Sequence, residues 1–326
     1  MLSIHLIAGV FSFFFFTHTT IAQTQPAWPE WVIELKKEAI SEGISPSLFD
    51  SLFLSMKGPS QKILSFMRSQ PEHRLTYPQY LNTRSGNGRI PVGQRKFQQY
   101  RKVLTSIEKQ YRVDPTVIVA LWGIESSYGN FMGDFPTVQA LATMAYASPR
   151  ADIFREELLL ALHMVNNGEV TVEQFKGEWA GASGQPQFLP SSWYKYAVDY
   201  DEDGKKDIWS SVPDVLASIA NYLHQHGWQP NQPQTIAVQL PQNFDPTYIQ
   251  IREVKTLHEW TSLGVRQMNG QALPNKNWKA FLVHPKEGPV WLALENFQVL
   301  LSYNNSIYYA GTIDYMAHKI AHSSKQ

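Results

Sequence analysis

The stretch Asp114 to Gly129, DPTVIVALWGIESSYG, constrains this chain more than any other. Asp114 followed by Pro115 is a helix start: a side-chain acceptor for the first free N–H groups, then a ring whose φ is already helical. Gly129 suits a left-handed stop. Between them apolar residues occupy nearly every face: Val117, Ile118, Val119, Ala120, Leu121, Trp122 and Ile124. A helix apolar all round is a buried one. Ile118, Leu121, Trp122 and Glu125 recur at helical spacing, so one carboxylate sits on a stripe that belongs to a core. Burial disfavours its charged form, and so does the negative end of its own helix. A carboxylic acid kept protonated near neutral pH is what general-acid cleavage of a glycosidic bond requires. The plain alternative is a structural Glu paired with a distant Lys or Arg. Against it, no base lies within seven residues on either side, and Ser126, Ser127, Tyr128, Gly129 and Asn130 follow at once, as at the floor of a cleft.

Composition narrows the partners. Lys plus Arg equals Asp plus Glu, 28 each, so nothing resembles a nucleic-acid-binding stripe. The absence of cysteine excludes disulfides and thiolate metal sites. Met1 to Ala22 reads as a signal peptide: its apolar run Ile4 to Phe16 falls short of the about 20 residues that span a bilayer, and Thr20-Ile21-Ala22 is a small-residue cleavage site. The n-region holds no Lys or Arg, so an uncleaved anchor is the competing reading. With no cysteine for lipidation, the expected location is periplasmic, as a monomer.

Residues 23–112 read as helical, with starts at Pro29 and at Ser45-Pro46, further segments at Ser60 to Met67 and Gln94 to Tyr111, and a polar, Gly-rich break at Thr83 to Gly93. Residues 113–228 hold the central helix, a second strong helix from Arg150 to Asn167, and a third from Pro213 to His226. Between them WAGASGQPQFLPSSW, Trp179 to Trp193, is too rich in Gly and Pro for one regular element. Its Gln185 and Gln187 offer amides beside aromatic rings, a mixture that suits a sugar site and equally suits a loop packed on a helix. Residues 229–292 change texture into short β-like runs, 236–240, 248–254, 265–268, 279–283 and 290–294, which predict a small β lobe. Residues 293–326 return to helix.

Asp199 to Ser210, DYDEDGKKDIWS, reads as a calcium loop. Asp199, Asp201 and Asp203 take positions 1, 3 and 5, Gly204 the sharp turn at 6, Lys205 the backbone-carbonyl position 7 and Asp207 position 9. Ser210 stands where a bidentate Glu would close the site, and Asp214 could close a longer loop. The competing readings are an Asp-Gly hairpin turn and a helix-capping role for Asp214 after Ser211. A structural Ca2+ is the ion such a loop takes, and the chemistry itself requires no cofactor.

Taken together, ALWGIESSYG (120–129), QALATMAY (139–146), WAGASGQPQFLPSSW (179–193), YAVDYDEDGKKDIW (196–209), SIANYLHQHGW (218–228) and YNNSIYYA (303–310) resemble the B-type lytic murein transglycosylases from about Trp31 to Ile320. The resemblance implies an α+β, mainly α fold: a helical lobe, a lysozyme-like core carrying the calcium-type loop, and a β lobe. It implies that Glu125 is the sole catalytic acid and later the base. It implies sugar contacts from Gln187, Tyr303, Asn304 and Tyr309, with peptidoglycan glycan strands as substrate and other cell-wall enzymes as partners. The chain departs from the pattern twice. Glu178 stands where the family usually has Ser, which puts a second carboxylate near the cleft and the substrate, and Ser183 stands where Met is usual. The rival readings are lysozyme-type hydrolysis, with water helped by Glu178, and a silent wall-binding module.

Overall fold

The computed structural model describes residues 26–68, 75–86 and 88–322, so the expected leader Met1 to Ala22 lies outside the described residues. Six helices come first: α1 Trp28–Ser41, α2 Pro46–Phe53, α3 Gln61–Arg68, α4 Tyr77–Ser85, α5 Arg89–Gln99 and α6 Arg101–Tyr111. Next come α7 Pro115–Ser126, β1 Phe135–Pro136, α8 Thr137–Ala147, α9 Ala151–Asn166, β2 Lys176–Gly177, α10 Pro190–Tyr196 and α11 Val212–Gln225. Then follow β3 Thr235–Gln239, α12 Thr247–Gln250, β4 Lys255–Thr256, α13 Leu257–Ser262, β5 Arg266–Gln267, β6 Lys279–Val283 and β7 Trp291–Ala293. The described chain closes with α14 Glu295–Tyr303 and α15 Ile307–His322.

The helix α7 is the axis of the molecule. Asp114 caps it by accepting from the Thr116 N–H at 2.8 Å, with Pro115 at its first position. Residues Val117 to Gly123 are all buried, because α5, α6, α11 and α15 close on it from different sides. One apolar core runs from Trp28 in α1 to Ile320 in α15.

Strands β4-β6-β7-β3-β5 form an antiparallel sheet, with Phe281, Leu282 and Val283 opposite Ala293, Leu292 and Trp291. Both faces of β6 and β7 are covered. Ala280, Leu282 and Leu292 join a small cluster around Trp260, while Phe281, Val283, Trp291 and Ala293 join the main core. That is why KAFLV reads as a continuous apolar run rather than an alternating one.

Three expectations need correction. The polar break at Thr83 to Gly93 is mostly helix. A capping box, in which the Thr76 N–H donates to Gln79 Oε1 at 3.0 Å, starts α4, and Gly88, at φ 77°, opens α5. The segment expected as one helix from Gln94 to Tyr111 breaks at Tyr100, where ψ turns to 15°. The run 248–254 is not a strand: Asp245 accepts from the Thr247 N–H at 2.9 Å, and Asp245-Pro246 launches the short α12 instead.

One buried amide ties α7 to the loops beside it. Gln185 Oε1 accepts from Trp122 Nε1 at 2.7 Å, and Gln185 Nε2 donates to the Trp209 carbonyl at 2.9 Å. Gly129, at φ 82°, lies so close that a Cβ there would stand 2.5 Å from Gln185 Oε1. Gln185 is thereby committed to the interior and is no sugar ligand. Gln185→Leu leaves a buried indole N–H and a buried carbonyl unpaired, and should destabilise the fold by about 3 kcal/mol in urea denaturation. A loss below about 1 kcal/mol would mean the amide is dispensable.

Candidate active site

The expected stop at Gly129 comes earlier. The helix α7 ends at Ser126, and Ser127, Tyr128 and Gly129 all turn left-handed, at φ 50°, 61° and 82°. Two of these are not glycine and cost about 1–2 kcal/mol each. The surroundings hold them there. Ser127 Oγ accepts from Arg89 Nη2 at 3.1 Å, and the Tyr128 hydroxyl donates to the Arg89 carbonyl at 2.9 Å. The Tyr128 ring folds back so tightly on its own helix that a Cβ at Gly123 would meet it at 2.6 Å. The chain therefore reverses immediately after Glu125, leaving that side chain at an open helix end.

Glu125 is half-buried, and its Oε1 accepts a hydrogen bond from the Tyr309 hydroxyl. Burial pushes its carboxyl up to about 7, against the opposing pull of the Tyr309 hydrogen bond and the Arg84 guanidinium. Glu178 adds to the upward push by like charge. Burial raises Tyr309 well above an ordinary phenol, and the neighbouring Glu125 charge adds to it, so its hydroxyl stays protonated and donates. Arg84, in the last turn of α4, was hidden in sequence by reading its surroundings as loop; the Thr76–Gln79 box was the signal that would have found its helix.

Glu178 reaches the same neighbourhood from the other wall. Its carboxyl is raised by burial, opposed by Arg84 and reinforced by Asp134. Its backbone is fixed by the β1–β2 crossing, where a Cβ on Gly133 would stand 2.1 Å from the Gly177 carbonyl and 2.7 Å from the Glu178 nitrogen. Ser183 is buried in the same loop and pairs its backbone with Phe188 in both directions, at 2.9 and 3.0 Å.

The other named residues sort by what their polar atoms already do. Gln187 spends both amide hydrogens, on the Met132 carbonyl at 3.0 Å and the Gly184 carbonyl at 2.8 Å. Its Oε1 is buried without a donor among the described residues, so toward a ligand Gln187 can only accept. The Tyr303 hydroxyl donates to the Pro186 carbonyl at 2.6 Å, and its ring packs on Tyr222 with centroids 4.7 Å apart. Asn304, just past the end of α14, is exposed. A surface hollow beside Asp114, Thr116 and His318 lies at the opposite end of α7 and takes no part.

Carboxylate oxygens of Asp199, Asp201 and Asp203 converge within 4.8 Å of one another, a hard-oxygen set that fits Ca2+. Asp214 is not in that cluster. It stands behind the loop, fully buried, with Oδ1 accepting from Tyr200 N at 2.8 Å and Oδ2 from Asp207 N at 2.9 Å. It also begins α11, where its own N–H reaches Ser211 Oγ at 3.4 Å. Asp207 folds onto its own turn, accepting from the N–H groups of Trp209 and Ser210, both at 2.9 Å. Lys205 is exposed and donates its N–H to Asp203 Oδ1 at 2.9 Å.

Comparison with known proteins places the chain in a family. The family described as Transglycosylase SLT domain matches residues 27–318. Membrane-bound lytic murein transglycosylase B of Escherichia coli K12 is 32% identical over 232 residues, 68% of this chain and 61% of its own length, so the chain spans about three fifths of that relative. SltB3 of Pseudomonas aeruginosa, solved in complex with NAG-anhNAM-pentapeptide, superposes with a TM-score of 0.85 at 37% identity, covering 90% of this chain and 80% of that one. Slt35 of Escherichia coli, solved in complex with calcium, gives 0.79 at 26% identity over 90% of this chain and 94% of that one. The mainly helical α+β fold with its lysozyme-like core stands on these matches. With a family match running from before α1 into α15, the chain belongs to the transglycosylase SLT domain family.

Proposed function

We propose that this protein is a lytic transglycosylase that cleaves the β-1,4 bond between N-acetylmuramic acid and N-acetylglucosamine in peptidoglycan and leaves 1,6-anhydro ends. The observation that carries the reading is Glu125: a half-buried carboxyl at an open helix end, held up to about 7 and gripped by one phenol. Glu125 donates its proton to the bridging oxygen. The bond from that oxygen to muramyl C1 breaks, its electron pair stays with the departing glucosamine, and an oxocarbenium-like centre remains. The muramyl 6-hydroxyl attacks C1 and returns its proton to Glu125, which ends as it began. The nucleophile belongs to the substrate, so the attack gains the advantage of an intramolecular reaction. No second carboxylate is required, unlike in ordinary glycosidases. Tyr309, unable to ionise, fixes one carboxyl oxygen and leaves the other to carry the proton. Gln187 Oε1 accepts from a sugar hydroxyl or acetamido N–H, and the exposed Asn304 and the Tyr303 ring offer further contacts to the strand. The leader motif and the cell-wall substrate together support export to the periplasm.

A second reading has one observation in its favour: Glu178 lies within electrostatic reach of Glu125 and could activate water for hydrolysis. Products separate the two, because an anhydro end is one water lighter than a hydrolysed one. We infer further that Asp199, Asp201 and Asp203, with the Lys205 carbonyl, hold a structural Ca2+ that offsets their mutual repulsion. Asp214 braces the loop from behind.

Glu125→Gln should abolish release of anhydro muropeptides, read by mass spectrometry of digested sacculi, with the fold intact. Stability supports that expectation. A carboxyl raised in the folded state contributes stability below its ordinary range that is lost as pH rises through about 7, so at pH 8 the Gln variant should melt no lower than the parent. Parent-like turnover by the variant removes Glu125 from the mechanism.

The acid must be protonated to act, so activity should fall as pH rises through about 7. Glu178→Gln removes a like charge and should move that alkaline limb to lower pH. A limb that stays put, or moves up, denies Glu178 any hold on the acid. Added Ca2+ should raise the melting temperature of the parent and leave Asp201→Ala unmoved; equal response in both would rule the loop out as its site.

A further inference from the structure

Phe131 is exposed over 56% of its surface, yet the backbone that carries it is tied down on both sides. Its own N–H donates to the Ser126 carbonyl at 2.9 Å, one residue from Glu125. Just before it, the Gly129 N–H donates to Ser126 Oγ at 3.0 Å. Just after it, the Met132 carbonyl accepts from Gln187 Nε2 at 3.0 Å. Gly133, at φ 93°, is then wedged against the Gly177 carbonyl and the Glu178 nitrogen. Single exposed apolar residues are ordinary on protein surfaces. A large ring held out on a braced loop, whose backbone is tied on one side to the end of α7 beside Glu125 and on the other to Gln187, is a different situation. Two residues beyond Gly133, Phe135 continues the aromatic edge, with Phe66 set against it at 5.8 Å and the Lys62 ammonium over its face at 4.7 Å.

We propose that Phe131 is a stacking platform that receives the apolar face of a pyranose ring of the glycan, next to the sugars at Glu125 and Gln187, and so sets a preference for extended strands. An aromatic face pre-set on a rigid loop gives up little freedom when a sugar settles on it. This proposal rests on the cleft being a saccharide site, so its test is built to fail separately.

Binding is measured by calorimetry in the Glu125→Gln background, which holds glycan without cutting it. The titrants are peptide-free glycan strands and, in parallel, a single disaccharide. Adding Phe131→Ala should weaken strand binding by about three- to tenfold, affect the disaccharide less, and leave the melting temperature unchanged because the ring is exposed. Phe131→Trp should restore strand affinity. Unchanged strand affinity in Phe131→Ala, while the parent still releases anhydro products, overturns the platform and spares the enzymatic reading. An equal loss for strand and disaccharide overturns the preference for extended strands. If Glu125→Gln binds no strand and the parent releases nothing, the enzymatic reading fails and this proposal with it.

Discussion

The arrangement depends on one buried amide. Gln185 receives the Trp122 indole N–H with its oxygen and gives its own hydrogen to the Trp209 carbonyl. Its backbone N–H also donates to the Ile208 carbonyl at 2.9 Å. Three segments far apart in sequence meet there: the helix that carries the acid, the Gly-rich loop with Gln187, and the turn that follows the aspartate loop. A hydrogen bond in such a place is worth more than its modest average, because each partner would otherwise be buried and unpaired. The end of the aspartate loop is thus linked through Gln185 to Trp122, one turn before Glu125 on α7.

The acid itself shows how burial and access are reconciled. Full enclosure would raise its pKa further but shut out a substrate. Full exposure would return it to the ordinary carboxylate range. The left-handed turn at Ser127 to Gly129 turns the main chain directly after Glu125, whose side chain is left half-buried. Around it Arg84 and Tyr309 favour the anion, while burial and Glu178 favour the acid. In the reaction proposed above, Glu125 is an acid before bond cleavage and a base after it, which needs both tendencies close to balance.

Much of this was legible in the sequence where a local rule decided the outcome. Asp114-Pro115 dictated the start of α7, the helix periods of 150–167 and 213–226 were plain, and four of the five short β runs became strands. The failures share a cause. Run 248–254 has strand-like composition, yet Asp245-Pro246 caps a helical turn. Gln185 and Gln187 look alike on paper; only the fold decides that one amide is spent inside and the other keeps an acceptor free. Arg84 comes to the acid through tertiary packing of α4 on α15, which no local pattern encodes. Asp214 illustrates the same limit, since its spacing suited a metal ligand while its oxygens went to backbone N–H groups.

The sheet has a mechanical consequence. Strands β6 and β7 are a party wall: Phe281, Val283, Trp291 and Ala293 press on the main core, and Leu282 and Leu292 on the cluster around Trp260. Swinging the β region away would wet four core side chains at once, which makes that seam a poor hinge. With two clusters sharing the same pair of strands, flexing is left to loops and helix ends.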